Sequence, residues 1–173
     1  MMKTMRRRFL LAAGGLAVLA ACTKVKEVPV HPAEIESAST CDLDGMLLAD
    51  YPGPKAQIFY AGDARPHWFC DTVEMFHTLL RPEQARPVRA VFVQDMALAD
   101  WESPRGHWFD ATTGVYVFGS KRRGPMGPAI ASFRDAVGAR AFMDGYGGKM
   151  LRYAEVTTDM VDICGGASND GRM

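Results

Sequence analysis

The 173-residue chain has no surplus of charge of either sign: 20 Lys and Arg stand against 20 Asp and Glu. That balance argues against a strongly basic nucleic-acid binder. The apolar run at residues 9–21 is too short to span a bilayer. There is no Gly-rich phosphate loop, no Gly-x-Ser-x-Gly and no His-Glu-x-x-His, so the common nucleotide, serine-hydrolase and zinc-protease signatures are missing. Of the four histidines, His31 lies near the N-terminus, and His67, His77 and His107 lack the i, i+4 pairing of a zinc helix. No Cys-x-x-Cys pair is present, which excludes a thioredoxin-like redox site. Apolar residues are not scarce. At 48% hydrophobic and 23% charged, the chain can build a core and is not intrinsically disordered.

The zero net charge is an average over two different stretches. Lys3, Arg6, Arg7 and Arg8 all lie in residues 1–21, which contain no acid; 16 basic side chains then remain against 20 acidic ones, a net charge of −4. A basic start, a short apolar run and Leu19-Ala20-Ala21-Cys22 resemble a bacterial lipoprotein signal peptide, with cleavage before Cys22 and lipidation of that residue. Arg6-Arg7-Arg8-Phe9-Leu10 also resembles a twin-arginine export signal. The domain is therefore expected on the periplasmic face of a bacterial membrane, held by lipid, and Thr23 is compatible with sorting to the outer membrane. Residues 22–40 read as a flexible tether and residues 162–173 as a flexible tail.

Between them, alternation and capping signals predict two successive units, 41–98 and 99–161. In the first, strands are expected at 55–61 and 67–70, with Ile58 and Tyr60 on one face and Gln57 and Phe59 on the other. A helix over 73–80 follows, capped by Asp71 or Thr72, and a strand at 89–94. In the second, strands are expected at 114–118 and 129–133, then a helix over 134–146 ended by Gly147-Gly148, then a strand over 149–156. The fold class is α+β, built from two pseudo-repeated ββαβ units.

Sulfur is what the sequence has in quantity. Eight of the 11 methionines lie beyond Met1, Met2 and Met5, and Cys41, Cys70 and Cys164 remain once Cys22 is assigned to lipid. Thioethers and thiolates are soft donors that favour cuprous copper over hard cations. Two segments place sulfur in loops. Cys41-Asp-Leu-Asp-Gly-Met46 has a glycine that permits a sharp turn, and Gly124-Pro125-Met126-Gly127-Pro128 is a poor core element. Cys41, Met46 and Met126 are thus the candidate ligands of a Cu(I) site. Cys70, His77 and Met96 are further candidates. Met75, Met143 and Met150 sit inside elements and read as packing residues.

Several stretches carry a family resemblance: Gly45-Met46, Gly53-Pro54-Lys-Ala-Gln-Ile58, Phe69 through Phe76, Trp108-Phe-Asp-Ala111, Tyr116-Val117, Gly124-Pro-Met-Gly127 and Gly147-Gly148. In order and spacing they resemble the NosL family of copper-binding lipoproteins. The resemblance implies two related ββαβ units, one bound cuprous ion and no enzymatic activity. It also implies a metallochaperone role in denitrification, delivering copper to the copper-sulfur centre of apo nitrous oxide reductase through a membrane maturation complex. One position departs from the family's Cys-x-x-Cys-Gly-Met pattern: Asp44 stands at the second cysteine, leaving Cys41 and Met46. Two other readings compete. One is a metal-free assembly factor docking on the same complex. The other is an organomercurial-lyase-like enzyme using Cys41, Cys70 and Asp71.

Overall fold

The computed structural model describes residues 29–163; the signal peptide, the lipidation candidate Cys22 and the tail cysteine Cys164 lie outside the described residues. The chain runs β1 (Ala56–Tyr60), β2 (His67–Phe69), α1 (Thr72–Leu80), β3 (Val88–Gln94), β4 (Trp108–Asp110), β5 (Val115–Phe118), β6 (Arg123–Gly124), β7 (Gly127–Pro128), β8 (Ala131–Phe133), α2 (Ala136–Tyr146) and β9 (Lys149–Arg152). These form a four-stranded sheet ordered β2-β1-β3-β4, a three-stranded sheet ordered β8-β5-β9, and the β6–β7 hairpin. All pairings are antiparallel. The class is α+β, and every element expected from the sequence is present to within a few residues.

Both helices start on an aspartate in extended backbone, buried in the case of Asp71 and exposed in that of Asp135. Asp71 Oδ1 accepts from the Val73 N–H at 2.6 Å, and Asp135 Oδ1 accepts from Val137 and Gly138 at 2.8 and 2.9 Å. Each bond satisfies a donor that the first helical turn leaves open. The α2 helix stops at Gly147, whose φ of 70° suits a residue without a Cβ, and whose N–H donates to Met143 O.

Three sequence expectations change. First, β1 is buried on both faces rather than alternating in and out. Gln57 has 0% exposure because the chain ahead of it covers that side: its amide accepts from Ala33 N at 2.9 Å and donates to Ala33 O at 3.1 Å. Two bonds satisfy both ends of the buried amide, as burial requires. Second, the stretch read as tether is therefore fastened from Ala33 onward. Ile35 packs against Cys41, Leu48 and Cys70, and Thr40 bridges Leu47. Third, the boundary at residues 98 and 99 is not a packing boundary. Strand β4, from the second stretch, is the edge strand of the first sheet, pairing Phe109 with Val93. The largest core cluster also draws Ile58, Phe76 and Val93 together with Tyr116, Ile130 and Leu151.

The sheets are stitched at their junction by buried polar groups. Ser132 Oγ donates to Gln94 O at 2.6 Å, Met96 N donates to Ser132 O at 2.9 Å, and the Gln94 side chain accepts from Lys55 N at 3.0 Å. Thr72 Oγ1 donates to Ile130 O, fixing the start of α1 to the short link that leads into β8. The β6–β7 hairpin lies against the same helix start. A Cβ added at Gly124 would sit 2.1 Å from Asp71 Oδ2, so only glycine allows this approach.

Two measurements probe these joints. Gly124→Ala should cost about 1–3 kcal/mol through overpacking, read from the denaturant midpoint; an unchanged midpoint would refute the tight seat on Asp71. Gln57→Leu should speed hydrogen exchange at the amides of Ala33 and Cys41 while the β1–β3 ladder stays protected, at a cost of about 1–2 kcal/mol.

Candidate metal centre

Cys41 and Cys70 reach one another through two short local structures. Residues 40–47 form a tight turn closed by the Thr40–Leu47 bridge. Within it, Cys41 N donates to Met46 O at 2.8 Å, Gly45 N donates to Cys41 O at 2.9 Å, and Met46 N donates to Asp44 Oδ1 at 2.9 Å. Gly45 has φ of 77° with open space around it, which is the sharp turn the sequence suggested. The turn is pinned to β2 from both sides: Asp42 N donates to Trp68 O at 2.8 Å, and Trp68 N donates to Asp42 Oδ2 at 2.6 Å.

Cys70 follows β2 directly and precedes the cap of α1. Glu74, in the first turn of that helix, turns its carboxylate back toward the chain ahead of the cap. Its Oε2 accepts from the Cys41 thiol and from the Cys70 thiol, each at 3.2 Å. Cys41 Sγ in turn accepts from Leu43 N at 3.4 Å. One donor atom each from Cys41, Asp44, Cys70 and Glu74 lies within 4.8 Å of the others. Met46 is half-buried against the same cluster, with Trp68 beside it. Cys41 is 2% exposed and Cys70 0%, and both are free thiols.

The electrostatics follow from burial. The Cys70 thiol is held well above the usual thiol range, first by the neighbouring Cys41 thiol, then by burial and by the Glu74 charge. Burial pushes the Glu74 carboxyl up, against the opposing effect of the two thiol hydrogen bonds. Burial likewise raises Asp71 to about 7. Lys55 is lowered to about 8 by burial, with Cys70 the strongest opposing influence. The site is thus a buried pair of cysteines with one carboxyl bridging it. Two sulfurs, an adjacent thioether and a carboxylate make a donor set for a soft, low-valent metal rather than for calcium or magnesium.

The sequence candidates separate cleanly. Cys41 and Met46 are at the cluster. Met126 is 59% exposed at the tip of the β6–β7 hairpin, whose base is fixed by the bond from Trp101 Nε1 to Arg123 O at 3.2 Å. Met96 belongs to the second core cluster with Trp101. His77 Nδ1 donates to Val161 O at 3.0 Å. Cys70 proves to be a full partner of Cys41. Glu74 and Asp44 join the donor set without having been singled out as ligands. The available signal for Glu74 was its spacing: four residues after a cysteine and three after a helix cap, it can turn back on that cysteine.

The family model described as NosL matches residues 32–161. Among curated relatives, the copper-binding lipoprotein NosL of Achromobacter cycloclastes is 37% identical over 160 residues, covering 90% of this chain and 83% of the relative. The protein of the same description from Stutzerimonas stutzeri is 35% identical over 141 residues, covering 80% and 73%. The crystal structure of the copper chaperone NosL from Shewanella denitrificans superposes with a TM-score of 0.73 at 37% identity, covering 76% of this chain and 99% of that one. On the extent of the family match and the identity of these relatives, the chain belongs to the NosL family.

Proposed function

We propose that this protein carries one cuprous ion as a lipid-anchored metallochaperone and hands it to the copper-sulfur centre of nitrous oxide reductase during maturation. The observation that carries the reading is the convergence of the Cys41 and Cys70 thiols on Glu74 Oε2, with Met46 alongside. Three sulfur donors within one turn and one helix start satisfy Cu(I), which accepts two- and three-coordinate soft sites. On loading, the thiols release their protons to solvent and bind as thiolates, and Met46 supplies a neutral thioether. The relatives named as copper-binding lipoproteins and as a copper chaperone support the same cargo.

In this reading the ion is cargo, and the protein breaks no bond in a substrate. Cys22 is the lipid attachment point, placing the domain at the periplasmic face, and the receiving partners are the apo-reductase and its membrane maturation complex. Met126 has a role separate from storage: an exposed thioether on a hairpin is placed to touch an acceptor and offers the departing ion a transient ligand.

Competition against a calibrated cuprous chelator tests the ligand set. Cys41→Ser and Cys70→Ser should each weaken Cu(I) binding by about a hundredfold or more, equivalent to roughly 3 kcal/mol. Met46→Ala should weaken it more than Met126→Ala, which should stay within about threefold of the parent. X-ray absorption on the copper-loaded protein should count two or three sulfur scatterers. Unchanged affinity in a Cys41→Ala/Cys70→Ala double variant would remove the site assignment. Absence of any cuprous binding by the reduced protein would remove the copper reading itself.

A further inference from the structure

Lys55 immediately precedes β1 and is 0% exposed. Its ammonium donates to Pro52 O and to Cys70 O, both at 3.0 Å. Both acceptors are neutral carbonyls. A neutral amide would serve two carbonyls as well, whereas burying an ammonium without an ion-pair partner is costly. The position therefore needs an electrostatic explanation. Through Cys70 O the ammonium is fixed to the backbone of one cysteine of the metal centre, one residue ahead of the Asp71 helix cap.

We infer that Lys55 is a specificity-determining residue that makes the dithiol centre prefer a monovalent soft cation over a divalent one. The inference rests on the copper reading above. With a monovalent ion loaded, two thiolates surround one positive charge, a net charge of −1. With a divalent ion at the same two thiolates the net charge is zero. A fixed positive charge hydrogen-bonded to the backbone of one ligand attracts the first complex and is indifferent to the second. The difference between the two complexes is one unit of charge whatever the state of Glu74, provided that state is the same in both. At short range inside a protein, one unit charge is worth at least a tenfold effect on an equilibrium. Soft donors alone do not supply this discrimination, because thiolates also bind divalent cadmium and zinc tightly.

The test measures two metals on each protein. Cu(I) affinity is read by chelator competition. Cd(II) affinity is read from the thiolate-to-cadmium charge-transfer absorption, which reports on the cysteine site itself. Lys55→Met removes the charge and both hydrogen bonds; Lys55→Gln removes the charge and retains a donor. In both variants the ratio of Cu(I) to Cd(II) affinity should fall at least tenfold, with Cd(II) affinity within about threefold of the parent. A merely structural role would weaken both metals together and leave the ratio unmoved, and that result overturns the inference. The unsubstituted protein supplies an independent arm. Silver(I), of the same charge as Cu(I), should displace it far more readily than Cd(II) does; displacement by Cd(II) at comparable concentration would also overturn the inference. If the unsubstituted protein binds no Cu(I), the copper reading fails instead, so the two failures are distinguishable.

Discussion

The carboxylate of Asp71, accepting the Val73 N–H, sets where α1 begins, and the metal centre depends on that starting point. It turns the chain out of β2 so that Cys70 sits just ahead of the helix and Glu74 lies over it. Its second oxygen meets the backbone of Gly124, which seats the Met126 hairpin beside the same helix start. The adjacent Thr72 hydroxyl ties the turn to Ile130 in the other half of the molecule. A buried acid is tolerated here because the Val73 N–H replaces part of the water it loses, although burial still raises its carboxyl to about 7. Without that cap the thiol pair, the hairpin and the sheet junction would lose a common reference.

Much of the architecture was legible in the sequence because it is local. Alternation marked the strands, Asp71 or Thr72 marked the start of α1, and paired glycines marked the end of α2. What was not legible came from contacts across the chain. Nothing in Ala56–Tyr60 reveals that the strand is covered on its second face, because the cover is Ala33, 24 residues away from Gln57. Cys41 and Cys70 stood out as sulfur, but their meeting requires the turn to dock on Trp68. Glu74 reads along the sequence as an acid favourable in a first helical turn. Only the docked turn makes it the shared acceptor of two thiols. Met126 read correctly as surface-exposed, while its separation from the buried thiol pair depended on how the hairpin folds back.

Burial of the sulfurs has a price in access. With Cys41 and Cys70 nearly sealed, loading of the proposed copper site would require a covering segment such as the 40–47 turn to shift. That turn is held by a few hydrogen bonds and presents Leu43 and Leu47 to solvent. It is the thin wall of the site, whereas β2, α1 and Lys55 are the thick one. A partner that grips the exposed leucines would act on the wall that has to move.

The clasp between Gln57 and Ala33 also fixes a length. With the lipid on Cys22 as proposed, 11 residues run from the anchor to the first residue fastened to the domain. Even fully extended, such a stretch reaches no more than about 40 Å. The domain is then confined to a shallow layer above the bilayer, and any acceptor fixed in the same membrane meets it at a high local concentration. A freely diffusing acceptor must come down to that layer, so the leash length decides which collisions can end in transfer.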